Sequence, residues 1–69
     1  MASVTEKLGN RIRQLRKSKD LSQEELAEKA DLDLTSINEI EAGNRNPSVR
    51  TVNKISLALK LSLRDISTF

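Results

Sequence analysis

Apolar residues recur along this chain at helical spacing. Leu8, Ile12 and Leu15 stand at i, i+4 and i+7 and form one stripe. That predicts a first helix over about Thr5–Ser18, with Arg16 on the edge of the stripe. "SQEE" opens a second helix: Ser22 is a good N-cap, and Glu25 three positions on completes a capping box. It runs to about Ala30 and buries Leu26, Ala27 and Ala30. Asp33 is the natural N-cap of a third helix, Leu34–Ala42, which Gly43 ends. Ile37 and Ile40 are its core contacts. "NRNPS" reads as a loop. Ser48 caps a fourth helix, about Val49–Lys60, with Val52, Ile55 and Leu59 inward. Ser62 and Asp65 repeat the capping-box spacing over a short last helix, about Leu63–Thr68.

No alternating strand pattern of useful length is present, so the expected fold class is all-α, a five-helix bundle. The chain has 69 residues, which fits one small domain. A core of that size is marginal, so well-capped helices or a partner subunit should support it. Only Asp31–Asp33 join the second and third helices, a connection that suits a helix-turn-helix. Periodicity alone leaves a plain five-helix bundle without a site equally open, since apolar stripes are usually just core.

Composition removes whole classes of chemistry. The chain has no Cys and no His. That excludes a disulfide framework, thiolate metal sites and the usual nucleophile–base pairs, and most zinc chemistry with them. No enzyme constellation, metal site, cofactor or small-molecule ligand is expected. "DLDLTSINEIEA" has a superficial likeness to a calcium loop, but Ser36 stands where glycine is required and Ala42 where the last glutamate is. The only aromatic residue is Phe69, so there is no platform on which single-stranded bases could stack. The longest apolar run is "LAL" at Leu57–Leu59, and the first ten residues lack the apolar core of a signal peptide. A soluble cytoplasmic protein with no membrane partner is the expectation.

Net charge is only +2, but it is unevenly spread. Six cations face one acid before Asp20, eight acids face Lys29 alone from Asp20 to Ala42, and five cations face Asp65 alone from Gly43 onward. Two basic blocks flanking an acidic one can form a phosphate-binding footprint, or they can be ordinary solvated helix faces.

The residues that decide are "RIRQLRKSKDLSQEELAEKADLDLTSINEIEAGNRNPS". They resemble the phage repressor/Cro-type helix-turn-helix domain. Gln23 opens the second helix, Leu26-Ala27 follows, then a tight turn, then Ile37, Ile40-Glu41 and Gly43 in the family's register. "TVNKISLALKLSLRDI" is similar to the family's fourth and fifth helices, so the likeness spans about Leu8 to Ile66. One departure lies in the turn, where Asp31-Leu32-Asp33 replaces the frequent Gly-Val-Ser. Asp31 then stands where a left-handed conformation is plausible, which Asp tolerates better than most residues. The small size and this turn also look like controller proteins of restriction–modification systems, stand-alone domains that dimerise and regulate their own operon. Small phage repressors and antitoxin-like regulators share the architecture.

The resemblance implies a lambda-repressor-like DNA-binding fold, a double-stranded DNA partner and a recognition helix over Leu34–Ala42 in the major groove. At 100° per residue, Thr35, Asn38 and Glu39 point away from the core, with Leu34 and Ser36 flanking the first turn. Base readout falls to Thr35, Ser36 and Asn38, with Leu34 either packing on a thymine methyl or lying in the core. Glu39 either accepts from cytosine N4 or lies in water beyond the groove. Phosphate contacts fall to Gln23, to Arg45 and Asn46 in the loop, and to Ser22 if its cap leaves it free. Arg45 has the narrow minor groove as an alternative. Arg11 and Arg13 are weaker candidates. Glu41 turns inward toward Arg16, a pair common in the family. Leu57 replaces a residue the family usually keeps polar, so Leu57, Leu63 and Phe69 form a candidate seam between two copies. The alternative from another class is a protein-interaction module or antitoxin-like co-regulator, which would be expected to lose Gln23 and the basic loop.

Overall fold

Each helix starts on a side chain that satisfies backbone donors the helix cannot satisfy itself. Ser3, Ser22, Asp33, Ser48 and Ser62 are the five N-caps, and each accepts from a backbone N–H three residues on. Glu6, Glu25 and Asp65 close capping boxes with Ser3, Ser22 and Ser62. The computed structural model describes residues 2–68. The helices are α1 (Val4–Ser18), α2 (Gln23–Ala30), α3 (Leu34–Glu41), α4 (Val49–Ala58) and α5 (Leu63–Ser67), with no strand among the described residues. The first begins a residue earlier than its apolar stripe suggests because Ser3 and Glu6 cap it. The third and fifth each end one residue short of expectation, at Glu41 and Ser67.

The first four helices end with one device. Asp20, Asp31, Gly43 and Lys60 are left-handed, with φ between 56° and 78°. The residue after each sends its N–H back five positions: Leu21 to Arg16 O, Leu32 to Ala27 O, Asn44 to Glu39 O and Leu61 to Ser56 O. The left-handed residues themselves bond three back, to Lys17, Glu28, Ile40 and Leu57. These are Schellman caps. Leu21, Leu32 and Leu61 pack against the core, and Ser22, Asp33 and Ser62 follow at once as caps of the next helix. One three-residue corner is thus used three times, and it stops α4 at Ala58 rather than Lys60.

The core is Ile12 from α1, Leu26, Ala27 and Ala30 from α2, Ile37 and Ile40 from α3, Ile55 and Leu59 from α4 and its C-cap, and Ile66 from α5. In this packing α3 lies between α1 and α2, α4 backs α2, and α5 closes against α1 and α4. Gly9 lets α1 approach α3 at backbone distance, for a Cβ there would collide with the carbonyl oxygens of Ile40 and Glu41. Among the described residues, no helix is long and apolar enough to cross a membrane.

Candidate nucleic-acid interface

The short corner at Asp31–Asp33 sets α3 across α2 and leaves one flank of α3 outside. Ile37, Ile40 and Glu41 are buried, whereas Leu34, Thr35 and Asn38 are exposed and Glu39 is half-buried. Leu34 and Asn38 line an open groove with Arg13 of α1 and Ser22, Gln23 and Glu24 at the start of α2. The buried Arg16 and Glu41 and the exposed Ala42 complete its lining. Leu34 therefore stands at the surface rather than in the core.

Beneath the groove lies an ion pair. Arg16 Nε is 2.7 Å from Glu41 Oε2, and Arg16 Nη2 donates to Glu41 Oε1 at 3.0 Å. Nη1 of the same guanidinium donates to the Leu21 carbonyl at 2.7 Å. The two side chains retain only 9% and 2% of their exposure. Gln23 joins them, its Nε2 donating to Glu41 Oε1 at 3.2 Å. One carboxylate on α3 thus ties α1, the first corner and the head of α2 together. No buried side-chain polar atom among the described residues lacks a partner, so this charge is fully compensated.

Ser36 corrects its expected place among the base contacts. It is buried, and its hydroxyl donates to Asp33 Oδ1 at 2.7 Å and accepts from Arg45 Nη1 at 2.8 Å. The Ser36 hydroxyl, its backbone N–H and the Arg45 charge hold the Asp33 carboxyl below its ordinary pKa. Arg45 also lies 3.7 Å from Glu39 Oε2, and both side chains are about half exposed, at 50% and 46%. Glu39 therefore has a cation beside it while about half of its side chain stays in water. The Ser22 oxygen is engaged by the Glu25 N–H at 3.0 Å, which leaves its hydroxyl hydrogen and one lone pair. Asn46 is exposed in the loop.

Of the remaining cations, Arg13 is exposed beside the groove. Arg11 instead donates to the Asp65 carbonyl at 3.1 Å and fastens α5 to α1. On the far part of the fold, Leu57 keeps 68% of its exposure and Leu63 39%. Phe69 lies outside the described residues. Sequence reasoning missed the tether from Ser36 to Arg45, the Gln23 bond to Glu41 and the role of Arg11. The spacing of Asp33 and Ser36 carried a signal for the first of these, because a serine three residues after an acidic N-cap is within reach of that cap.

A buried carboxylate behind an exposed α3, capped across a three-residue corner from α2, is the arrangement of a DNA-binding helix-turn-helix. Residues 12–66 match the profile of the helix-turn-helix family. The chain belongs to that family. This helix-turn-helix chain is 42% identical over 67 residues to the control protein C.MunI of a Mycoplasma species, covering 96% of this chain and 90% of that protein. It is 45% identical over 62 residues to the control protein C.BamHI of Bacillus amyloliquefaciens, covering 88% and 76% respectively. Its fold superposes on the restriction–modification controller protein C.AhdI of Aeromonas hydrophila with a TM-score of 0.88 at 39% identity, covering 90% of this chain and 94% of that one.

Proposed function

We propose that this helix-turn-helix chain is a sequence-specific transcriptional regulator of a restriction–modification operon, acting as a homodimer on a two-fold-symmetric DNA site. The observation that carries this reading is the exposed flank of α3 formed by Leu34, Thr35 and Asn38, with Gln23 lining the same groove as Leu34 and Asn38 and Arg45 tethered to Ser36 of the same helix. The identity to control proteins over nearly the whole chain supports the choice of operon.

The roles divide by chemistry. Thr35 and Asn38 face outward and are the base readers, Asn38 having the donor–acceptor pair that matches adenine. Leu34 offers a methyl-sized apolar contact to thymine. Glu39 accepts from cytosine N4 and repels misplaced phosphates. Gln23, Arg45, Asn46 and the remaining Ser22 hydrogen take phosphates, which set affinity and its salt dependence.

The acidic character of α3 is consistent with this division. Asp33 spends its charge on the helix cap, and Glu41 is neutralised by Arg16. Only Glu39 remains near the reading face, and Arg45 lies beside it.

An eight-residue α3 reads few base pairs, so specificity calls for two half-sites about one helical turn, roughly 34 Å, apart. The longest dimension of the domain is 31 Å, which matches one copy per half-site. Leu57 and Leu63, both exposed, are the seam between copies. Titration of labelled duplexes across a salt series tests the reading. Affinity should fall steeply as salt rises, with a log–log slope of about −0.9 for each phosphate neutralised. A salt-independent or absent interaction contradicts it.

A further inference from the structure

The Ser36 hydroxyl joins two parts of the chain that helix geometry alone does not bring together. Asp33 is the cap of α3, and its Oδ2 accepts from the Ser36 N–H at 3.0 Å while its Oδ1 accepts the Ser36 hydroxyl proton at 2.7 Å. Arg45 belongs to the irregular stretch between α3 and α4, and its Nη1 donates to the Ser36 oxygen at 2.8 Å. A serine hydroxyl has one proton and two lone pairs. The proton must go to Asp33, because a guanidinium has nothing to accept it with. A hydroxyl polarised by a carboxylate is in turn a better acceptor for a cation. Asp33 therefore acts on Arg45 through Ser36.

We propose that Ser36 is a positioning residue: it locks Arg45 to the cap of α3, so that the loop cation and the recognition helix meet DNA as one preorganised unit. This rests on the reading of Arg45 as a phosphate contact. A loop arginine free to sample its rotamers loses that freedom on binding, and affinity falls accordingly. The tether uses one of the five N–H donors of the guanidinium, and the half-exposed side chain keeps the rest for a phosphate. Glu39, 3.7 Å from the same Nη1, is the counter-charge that a phosphate displaces.

The test is a cycle of Ser36→Ala, Arg45→Ala and the double variant, titrated on a selected site and on a random duplex. Ser36→Ala is expected to weaken binding to both duplexes by about threefold to tenfold and to add nothing once Arg45 is already alanine. Ser36→Thr, which keeps the hydroxyl, should recover most of the loss. Asp33→Asn keeps a cap without the charge and should show a smaller loss of the same kind, which covers the case of an unfolded Ser36→Ala. Nuclear relaxation of the Arg45 Nε–H in the free protein gives a readout independent of DNA: ordered in the native chain, mobile in Ser36→Ala.

Three results would overturn the inference while leaving Arg45 as a phosphate contact. These are native-like binding by Ser36→Ala, an equal loss in both Arg45 backgrounds, or a loss confined to one base-pair preference. A silent Arg45→Ala would instead remove the phosphate reading itself, and the inference with it.

Discussion

The Glu41 carboxylate receives the Arg16 guanidinium through two parallel contacts, Nε to Oε2 at 2.7 Å and Nη2 to Oε1 at 3.0 Å. Such a fork fixes the orientation as well as the distance between α1 and α3. Both side chains are nearly out of water, so removing one charge strands the other. Glu41→Gln should destabilise the fold by about 3 kcal/mol. Glu39→Gln on the same helix, half exposed at 46%, should cost no more than about 0.5 kcal/mol. Equal urea midpoints for the two variants would show that the pair does not hold the helices together.

Backbone contact between the same two helices supplies the next test. Gly9→Ala places a methyl group against the Ile40 and Glu41 carbonyls and should cost about 2–3 kcal/mol by overpacking. Lys60→Gly should act in the opposite direction, because Lys60 is held at φ 58° without glycine's freedom. A gain of about 0.5–1 kcal/mol is expected. Thermal midpoints that fall for Lys60→Gly, or stay unchanged for Gly9→Ala, would contradict this account of the corners and the close approach.

Acid should loosen the caps. Glu25, Asp33 and Asp65 all have pKa values lowered in the fold, chiefly by hydrogen bonds from Ser22, Ser36 and Ser62 respectively. A carboxyl whose folded pKa is depressed contributes stability that is complete above its unfolded pKa and is lost as pH falls through the folded one. The urea midpoint should therefore hold above about pH 5 and decline below about pH 4. The triple variant Glu25→Gln, Asp33→Asn, Asp65→Asn should lose less on acidification than the native chain. An identical acid profile for both would remove these three caps as its source.

Leu57 and Leu63 test the dimer. Leu57→Glu or Leu63→Glu places a charge in the proposed seam and should shift sedimentation from the proposed dimer to monomer at micromolar concentration while circular dichroism stays helical. Folded variants that remain dimeric place the contact elsewhere.

The five helices and the core were legible because caps and apolar spacing are local signals. Ser22, Asp33, Ser48 and Ser62 announce helix starts, and Ile12, Ile37, Ile40 and Ile55 keep the period that buries them. Asp31 was legible as left-handed because it stands where glycine is frequent in similar chains. Asp20 and Lys60 were not: Asp tolerates a left-handed backbone without marking one, and Lys gives no sign of it. The readable sign was the recurrence of a leucine and then a cap after each, at Leu21-Ser22, Leu32-Asp33 and Leu61-Ser62. Ser36 was misplaced for a different reason. Helix rotation puts it beside the exposed face, but in the fold it is buried and bonded to Arg45 from the later loop. Contacts of that kind depend on the route of the chain rather than on periodicity.

The reading of α3 as the base reader is tested most directly by selecting binding sites from randomised duplexes, with the native chain beside Thr35→Ala, Asn38→Ala, Gln23→Ala and Arg45→Ala. The native chain should enrich a two-fold-symmetric site with half-sites about one helical turn, roughly 34 Å, apart. Thr35→Ala and Asn38→Ala should change which bases are enriched, with about 1–3 kcal/mol of discrimination lost at the affected positions. Gln23→Ala and Arg45→Ala should select the same site more weakly, and Arg45→Ala should flatten the salt slope by about one unit. No enriched site, or an identical change in all four variants, would contradict the account.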